Sequence, residues 1–260
     1  MKLSGHHTVR HKGKSGKITS SMLESGNIKR KNLGSSREEI GYEMRFLNEG
    51  YLEDIARLQE IMVQNLPDKE IFRLTAPEEF RELLAQKKTV IGVLTEDGLI
   101  AYNMVCFPDE NGDNFGVDIN LPQSELKKVA HLKAVVVHPA YRGNELQKRL
   151  ANIHLKVLQE LGYCHVCSTV SPKNAISIQN HFASGFVVTG LKVKYGDLLR
   201  YIMYKNIFRT FAPEPEVVGI ESTDTDGQKM LIDRGFAGFK IQVRNDGWQV
   251  MYGMPVSKLF

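Results

Sequence analysis

Apolar residues take up a regular rhythm only from Met44 onward. Met44–Asn48 reads as a short strand. Tyr51–Leu66 puts Leu52, Ile55, Leu58, Met62 and Leu66 on one side of a helix that Pro67 stops. Thr75-Ala76-Pro77-Glu78 matches a capping box, which predicts a second helix carrying Phe80, Leu83 and Leu84. The apolar runs Thr89–Leu94 and Leu99–Phe107 flank Glu96-Asp97-Gly98, a hairpin signal. Residues 108–128 are polar and irregular, with a short helical stretch near Gln123–Lys128. His131–His138 is a strand that Pro139-Ala140-Tyr141 ends. Gly143–Leu161 follows as a helix with Leu146, Leu150, Ile153, Val157, Leu158 and Leu161 on one face, closed by Gly162. Tyr163–Val170 is a further strand. Ser171-Pro172 opens a helix that runs to Ser184 and ends at Gly185, before two antiparallel strands, Val187–Lys194 and Leu198–Lys205. This order predicts an α/β (α+β) fold, a mixed sheet with helices on both faces.

Residues 208–260 read as a βαββ appendage. Phe211–Glu216 is a Pro-broken linker. Val217–Glu221 is a strand, Asp226–Arg234 a helix, and Ala237–Val243 with Trp248–Met254 a hairpin turning at Asn245-Asp246-Gly247. Gly235-Phe236 before two strands echoes Gly185-Phe186 before two strands. A unit of roughly 50 residues is too small to be stable alone. It is expected to dock on the main sheet or at a homodimer contact.

Residues 1–41 hold no such rhythm and no aromatic residue until Tyr42. They are rich in Ser, Gly, Lys and His and cannot bury enough apolar area to offset the entropy of ordering, so a disordered tail is expected. Charge sharpens the division. Residues 1–37 carry nine Lys or Arg against one acid, Glu24, a surplus of eight. The whole chain is +4, so the remainder is −4. Nucleic acid is therefore not an expected partner, except through this basic tail, which could also meet an anionic membrane surface. His6, His7 and His11 form a loose candidate for a metal, and Met44 is a second candidate for the start of the chain. The division expected is thus a tail over 1–41, a main domain over 42–207 and an appendage over 208–260.

Composition excludes several classes. The 260 residues are 42% hydrophobic and 25% charged, an ordinary globular balance. No run approaches ~18 consecutive apolar residues, so no membrane span is expected. The charged start is not followed by an apolar core, unlike a secretory signal. Three cysteines, Cys106, Cys164 and Cys167, do not make a disulfide scaffold, which fits a cytoplasmic protein. Cys164-His165-Val166-Cys167 lacks the second pair a zinc site needs, and it falls in a strand, so it reads as core and no metal is expected. No G-x-x-x-x-G-K-[ST], G-x-S-x-G or H-E-x-x-H motif is present.

The candidate chemistry lies at Val137-His138-Pro139-Ala140-Tyr141-Arg142-Gly143-Asn144-Glu145-Leu146-Gln147, a strand, a tight turn and a helix start. A first helical turn presents unpaired backbone N–H groups and partial positive charge, and binds phosphate. Arg142 adds a cation. From the residues alone, an ordinary strand–helix connection stands beside this reading. The run V-x-P-x-Y-R-G-N-x-L-Q-x-x-L resembles the acyl-CoA loop of the GNAT superfamily of N-acetyltransferases. Ser171-Pro172-Lys173-Asn174, with Ser177, His181, Gly185 and Phe186, resembles that superfamily's second signature. The likeness covers about residues 44–207. It implies a GNAT-like mixed, largely antiparallel sheet flanked by helices, with acetyl-CoA as cosubstrate. Backbone N–H groups of Gly143, Asn144, Glu145, Leu146 and Gln147 would hold the pyrophosphate, and main-chain groups of Val136 and Val137 the pantetheine arm. Glu145 and Gln147 depart from the family's R-x-x-G-x-G/A pattern.

The implied reaction is acetyl transfer to an amine of a small molecule or protein, by direct attack in a ternary complex. It calls for a base, donors for the oxyanion and an acid for the sulfur. The N–H of Val137 or Val136 is the oxyanion candidate. His131, six residues before Val137, shares its strand face by even spacing, and either serves as base or is a structural histidine. Glu125 and Asp118 are alternatives. The family often has a Tyr seven residues after the Asn; here that position is His181, the candidate acid. Asn174, Ser177 and His181 line one polar helix face, so Asn174 or Ser177 could touch pantetheine. A second function stands beside catalysis: a non-catalytic acyl-CoA-binding sensor or interaction module.

Overall fold

The computed structural model describes residues 22–31, 37–109, 113–245, 247–257 and 259. Among them, eleven strands join in one sheet in the order β1-β2-β3-β4-β5-β6-β8-β7-β10-β11-β9. The main-domain strands are β1 (Met22–Lys31), β2 (Arg37–Phe46), β3 (Val90–Thr95), β4 (Gly98–Cys106), β5 (Val129–Val137), β6 (His165–Val170), β7 (Val187–Lys194) and β8 (Leu198–Asn206). The helices are α1 (Leu52–Gln64), α2 (Pro77–Ala85), the single turn α3 (Phe115–Asp118), α4 (Leu146–Glu160) and α5 (Ala175–Ala183). Every neighbouring pair is antiparallel except β5 and β6.

Side chains alternate across the sheet and so sort the helices onto its two faces. Tyr102, Met104 and Val136 meet Ile55, Leu58 and Met62 of α1 and Phe80, Leu83 and Leu84 of α2. On the opposite face, Ala101, Val135 and Val137 meet Leu146 and Leu150 of α4, while Ala130, Leu132 and Val166 meet Leu155, Leu158 and Ile178 of α4 and α5. The predicted capping box before α2 does not form. Ala76 is the cap residue, and Thr75 donates its N–H to Gln59 Oε1 at 2.9 Å instead.

The expected disorder over 1–41 is corrected where the chain is described. Residues 22–31 and 37–46 pair along their length, with Ile28 facing Ile40 and both buried. The free edge of β1 is polar and charged, which removes the apolar alternation that would have marked a strand. The side chain of Asn144 holds it: Lys29 N–H donates to Asn144 Oδ1 at 2.9 Å, and Asn144 Nδ2 donates to Lys29 O at 2.7 Å. Arg149 of α4 reaches Glu24 and Tyr42. Residues 1–21, including His6, His7 and His11, lie outside the described residues.

The C-terminal unit consists of β9 (Pro213–Glu221), α6 (Thr225–Asp233), β10 (Ala237–Arg244) and β11 (Gly247–Pro255). It docks through β10 on β7, with Gly238 opposite Val188. The segment repeats β6-α5-β7-β8 about an axis between β7 and β10, since the strand order reads β6-β8-β7 and then β10-β11-β9. Local chemistry repeats too. Asn174 and Asp224 each cap their helix by accepting an N–H three residues on. Gly185 (φ +80°) and Gly235 (φ +90°) each end it in the left-handed region that glycine adopts freely.

Candidate active site

The site begins where β5 and β6 part. Their parallel pairing runs from Val129 and His165 to His131 and Cys167 and stops there. Beyond it, the hydroxyl of Ser168 crosses the gap to donate to Leu132 O at 2.8 Å. A bulge lies at the same level of β5: Met104 faces Ala134 and Val105 faces Leu132, which leaves Lys133 unpaired. After the bulge, β5 keeps β4 on one side and opens towards the gap on the other. His138 N–H donates to Ile100 O at 2.8 Å. Antiparallel alternation then turns the main chain of Val136 towards β4 and that of Val135 and Val137 towards the gap. Val137 is therefore placed as expected for an open-edge donor, whereas Val136 is not, because its N–H and C=O are spent in the sheet. Val135 instead turns its main chain the same way as Val137, a placement set by the bulge and the register.

The strand leads into the turn Pro139–Tyr141, where His138 Nδ1 accepts the Ala140 N–H at 3.2 Å and Tyr141 OH bonds Asp97. Gly143 then takes φ +89° with open space where a Cβ would stand, and Glu145 takes φ +55°. Glu145 is the residue before α4 and is exposed, and its side chain caps nothing. The consequence is a row of free donors. Arg149 is the first α4 residue whose N–H is satisfied, by Glu145 O at 3.0 Å. Among the described residues, the N–H groups of Gly143, Glu145, Leu146, Gln147 and Lys148 have no partner, while that of Asn144 turns back to close the Arg142-Gly143 turn. Arg142 is exposed beside them. Five free amides at the positive end of a 15-residue helix are placed where an anion can be held.

A cleft of about 230 Å³ runs from this helix end along β5, lined by Leu132, Val135, Gln147, Ala151, His181 and Phe186 among others. Asn180 Nδ2 donates to Gln147 Oε1 at 2.8 Å across it. His181 lies at the level where the strands part. Its Nδ1 is 2.8 Å from Ser177 O and its Nε2 is 3.3 Å from Ser168 Oγ. Burial lowers its pKa, against the pull of the Ser177 carbonyl. Asn174 Oδ1 accepts the Ser177 N–H at 3.0 Å, so Asn174 and Ser177 fix the helix turn that carries His181. A larger hollow of about 360 Å³ at the junction with the C-terminal unit contains none of these residues.

His131 does not join this group. The bulge breaks even spacing, so His131 shares its face with Val129 and Val136 and lies opposite Val137. It is 3% exposed, stacks on Phe115 at 3.9 Å, and its Nε2 accepts the Phe115 N–H at 3.1 Å. Burial holds its pKa down at about 4. A nitrogen already used by the main chain is a structural group, which corrects the expectation of a base there. Glu125 bonds Lys128 and His165, and Asp118 pairs with Lys194. The α1/α2 side of the gap carries residues that spacing did not single out: Lys133 pairs with Glu79, Glu79 with Arg73, and Arg73 lies over the Tyr195 ring, whose OH meets Thr169 Oγ1 at 3.0 Å. Cys164 and Cys167 are free thiols, and no metal-binding cluster occurs among the described residues.

Neither a family model nor a curated protein matches the sequence. Solved structures do. A protein of Acinetobacter baylyi ADP1, provisionally described as an acetyltransferase, is similar at TM-score 0.50 and 19% identity, over 67% of this chain and 97% of that one. A GNAT-family acetyltransferase of Listeria monocytogenes is similar at TM-score 0.49 and 15% identity, over 70% and 99%. YncA of Salmonella typhimurium, also provisionally described as an acetyltransferase and solved with acetyl-CoA, is similar at TM-score 0.47 and 20% identity, over 67% and 99%. The chain has the fold of the GNAT acetyltransferases, with a further βαββ unit continuing its sheet.

Proposed function

We propose that this chain transfers the acetyl group of acetyl-CoA to an amine nitrogen. The observation that carries the reading is the set of five unpartnered amides between Gly143 and Lys148, beside the open edge of a splayed strand. The residues fit the cosubstrate. The amides and Arg142 suit a diphosphate, and the free main-chain groups of Val135 and Val137 suit the amide-bearing pantetheine arm. Acetyl-CoA, when bound, supplies an activated thioester carbonyl. The chain's own part is to hold that carbonyl near the parting of β5 and β6. A main-chain N–H of the open edge can meet the developing oxyanion, and the side chain of His181 lies at the inner end of the cleft. The acceptor enters from the α1/α2 face, past Arg73, Glu79 and Lys133.

The test has two stages. Calorimetry with coenzyme A asks whether the amides bind the carrier. A screen of small amines and lysine peptides, read by thiol release from acetyl-CoA, asks for turnover. Binding with amine-dependent thiol release supports the transferase. Binding without release by any amine favours a non-catalytic acyl-CoA module, and no binding ends both readings.

A further inference from the structure

Three contacts around His181 count protons in a way that reveals its task. Leu132 O and Ser177 O can only accept. Ser168 Oγ lies 2.8 Å from the first, His181 Nδ1 lies 2.8 Å from the second, and His181 Nε2 lies 3.3 Å from Ser168 Oγ. Each contact needs one proton. A serine hydroxyl and a neutral imidazole supply two, so the resting network is one proton short. With Nδ1–H committed to Ser177 O, the Ser168 hydroxyl must choose between Leu132 O and the Nε2 lone pair. An imidazolium completes all three bonds at once: Nδ1–H to Ser177 O, Nε2–H to Ser168 Oγ, and Oγ–H to Leu132 O.

The surroundings keep that extra proton from settling. His181 is 7% exposed and Ser168 3% exposed. The Phe186 ring stands edge-on to the imidazole at 5.2 Å, and β5 contributes Leu132 and Val135 to the same cleft. Among the described residues, the charged side chain lining the cleft is Lys148 of α4, and no carboxylate lines it. Burial thus favours neutral His181 at rest, while the hydrogen-bond geometry is complete only for the charged form. A site that is buried and fully bonded only when protonated is suited to hold a proton for a moment.

Resting on the acetyl-transfer reading, we propose that Ser168 and His181 form a proton relay that serves both halves of the reaction. As the amine nitrogen attacks, the C–N bond forms, and the proton shed by nitrogen passes through the Ser168 hydroxyl to His181 Nε2. As the intermediate collapses, the C–S bond breaks, and the same proton returns by the same route to the departing thiolate. The products are the amide and the coenzyme A thiol. An ammonium acceptor first gives up one proton to water; from the neutral amine onward His181 begins and ends neutral, and the pair serves as both base and acid. Ser168 was not legible as a functional residue, since it is one serine within an apolar strand.

The wild-type protein gives the first test. Imidazole 15N NMR at neutral pH should show His181 as the neutral Nδ1–H tautomer. The Nε2–H tautomer, or a charged ring, overturns the relay. Kinetics give the second, with acetyl-CoA and glycinamide as the amine. Ser168→Ala and His181→Asn should each bind coenzyme A as wild type does, yet lose roughly 10²–10⁴-fold in kcat. The low-pH limb set by His181 should vanish in His181→Asn, and Ser168→Thr, which keeps a hydroxyl, should recover most of the Ser168→Ala loss. Both variants turning over at the wild-type rate with the wild-type pH profile refutes the relay and leaves the transferase standing. Loss of coenzyme A binding by wild type itself refutes the reading beneath it. Should wild type bind but not turn over glycinamide, the tautomer decides alone.

Discussion

Glu145 offers a way to separate backbone strain from charge at the anion site. Its φ of +55° costs an L-residue with a Cβ about 1–2 kcal/mol. Glu145→Gly removes that cost but adds about 0.5–1 kcal/mol of chain entropy lost on folding. The net gain in stability should be about 0.5–1 kcal/mol. Glu145→Ala keeps the strained conformation and removes only the carboxylate. That carboxylate is exposed and stands among the free amides, so it repels a diphosphate through water. Two unit charges ~4 Å apart in water interact by about 1 kcal/mol, which is about fivefold in affinity. Calorimetric titration with coenzyme A should therefore give several-fold tighter binding for both variants at low salt. The gain should shrink as salt approaches physiological strength, where the screening length is about 8 Å. Thermal unfolding should separate them, with only the glycine variant stabilised. Unchanged or weaker binding in both variants at low salt would mean that the diphosphate does not sit on these amides, and the reasoning would fail.

Other expectations follow from single contacts. His131 has its pKa lowered from 6.5 to about 4 by burial, so the unfolded chain binds its proton first as pH falls. Its contribution to stability is whole above pH 6.5 and should be lost by about 3 kcal/mol as pH drops to about 4; urea unfolding that is flat across this window would contradict the burial argument. Asn144→Ala removes both bonds to Lys29, so hydrogen exchange at the Lys29 amide should quicken while the β3–β4 amides stay protected; unchanged exchange would show that Asn144 does not hold β1. Removing residues 208–260 bares the β7 edge and uncovers Val188 and Tyr201 from Val250 and Tyr252. The shortened chain should aggregate or melt well below the full chain, and a stable monomer with the full chain's melting temperature would contradict that role.

The sheet and its helices were legible because their signals are local. Leu52 to Leu66 and Leu146 to Leu161 carry helical spacing, and Gly185 and Gly235 mark helix ends through their own backbone freedom. The turn before α4 was legible for the same reason, since Gly143 and the helix start lie within one stretch of chain. What escaped depended on pairing. The Lys133 bulge is set by the register of β5 against β4, and it alone turned His131 from a candidate base into a buried structural group and exchanged Val136 for Val135. Strand β1 escaped because it carries almost no apolar pattern of its own: Ile28, opposite Ile40 of β2, is its one deeply buried residue, and Asn144 clasps its edge from more than a hundred residues away. Ser168 escaped because its hydroxyl has meaning only once β5 and β6 part beside His181.

The central claim is that the amides from Gly143 to Lys148 grip the diphosphate of coenzyme A. Amide 1H–15N spectra recorded as coenzyme A is added test it most directly. Saturable downfield shifts are expected at Gly143, Glu145, Leu146, Gln147 and Lys148, with smaller changes at Val135 and Val137. Saturable shifts elsewhere that leave these five amides unmoved, or no response to coenzyme A at all, would contradict it.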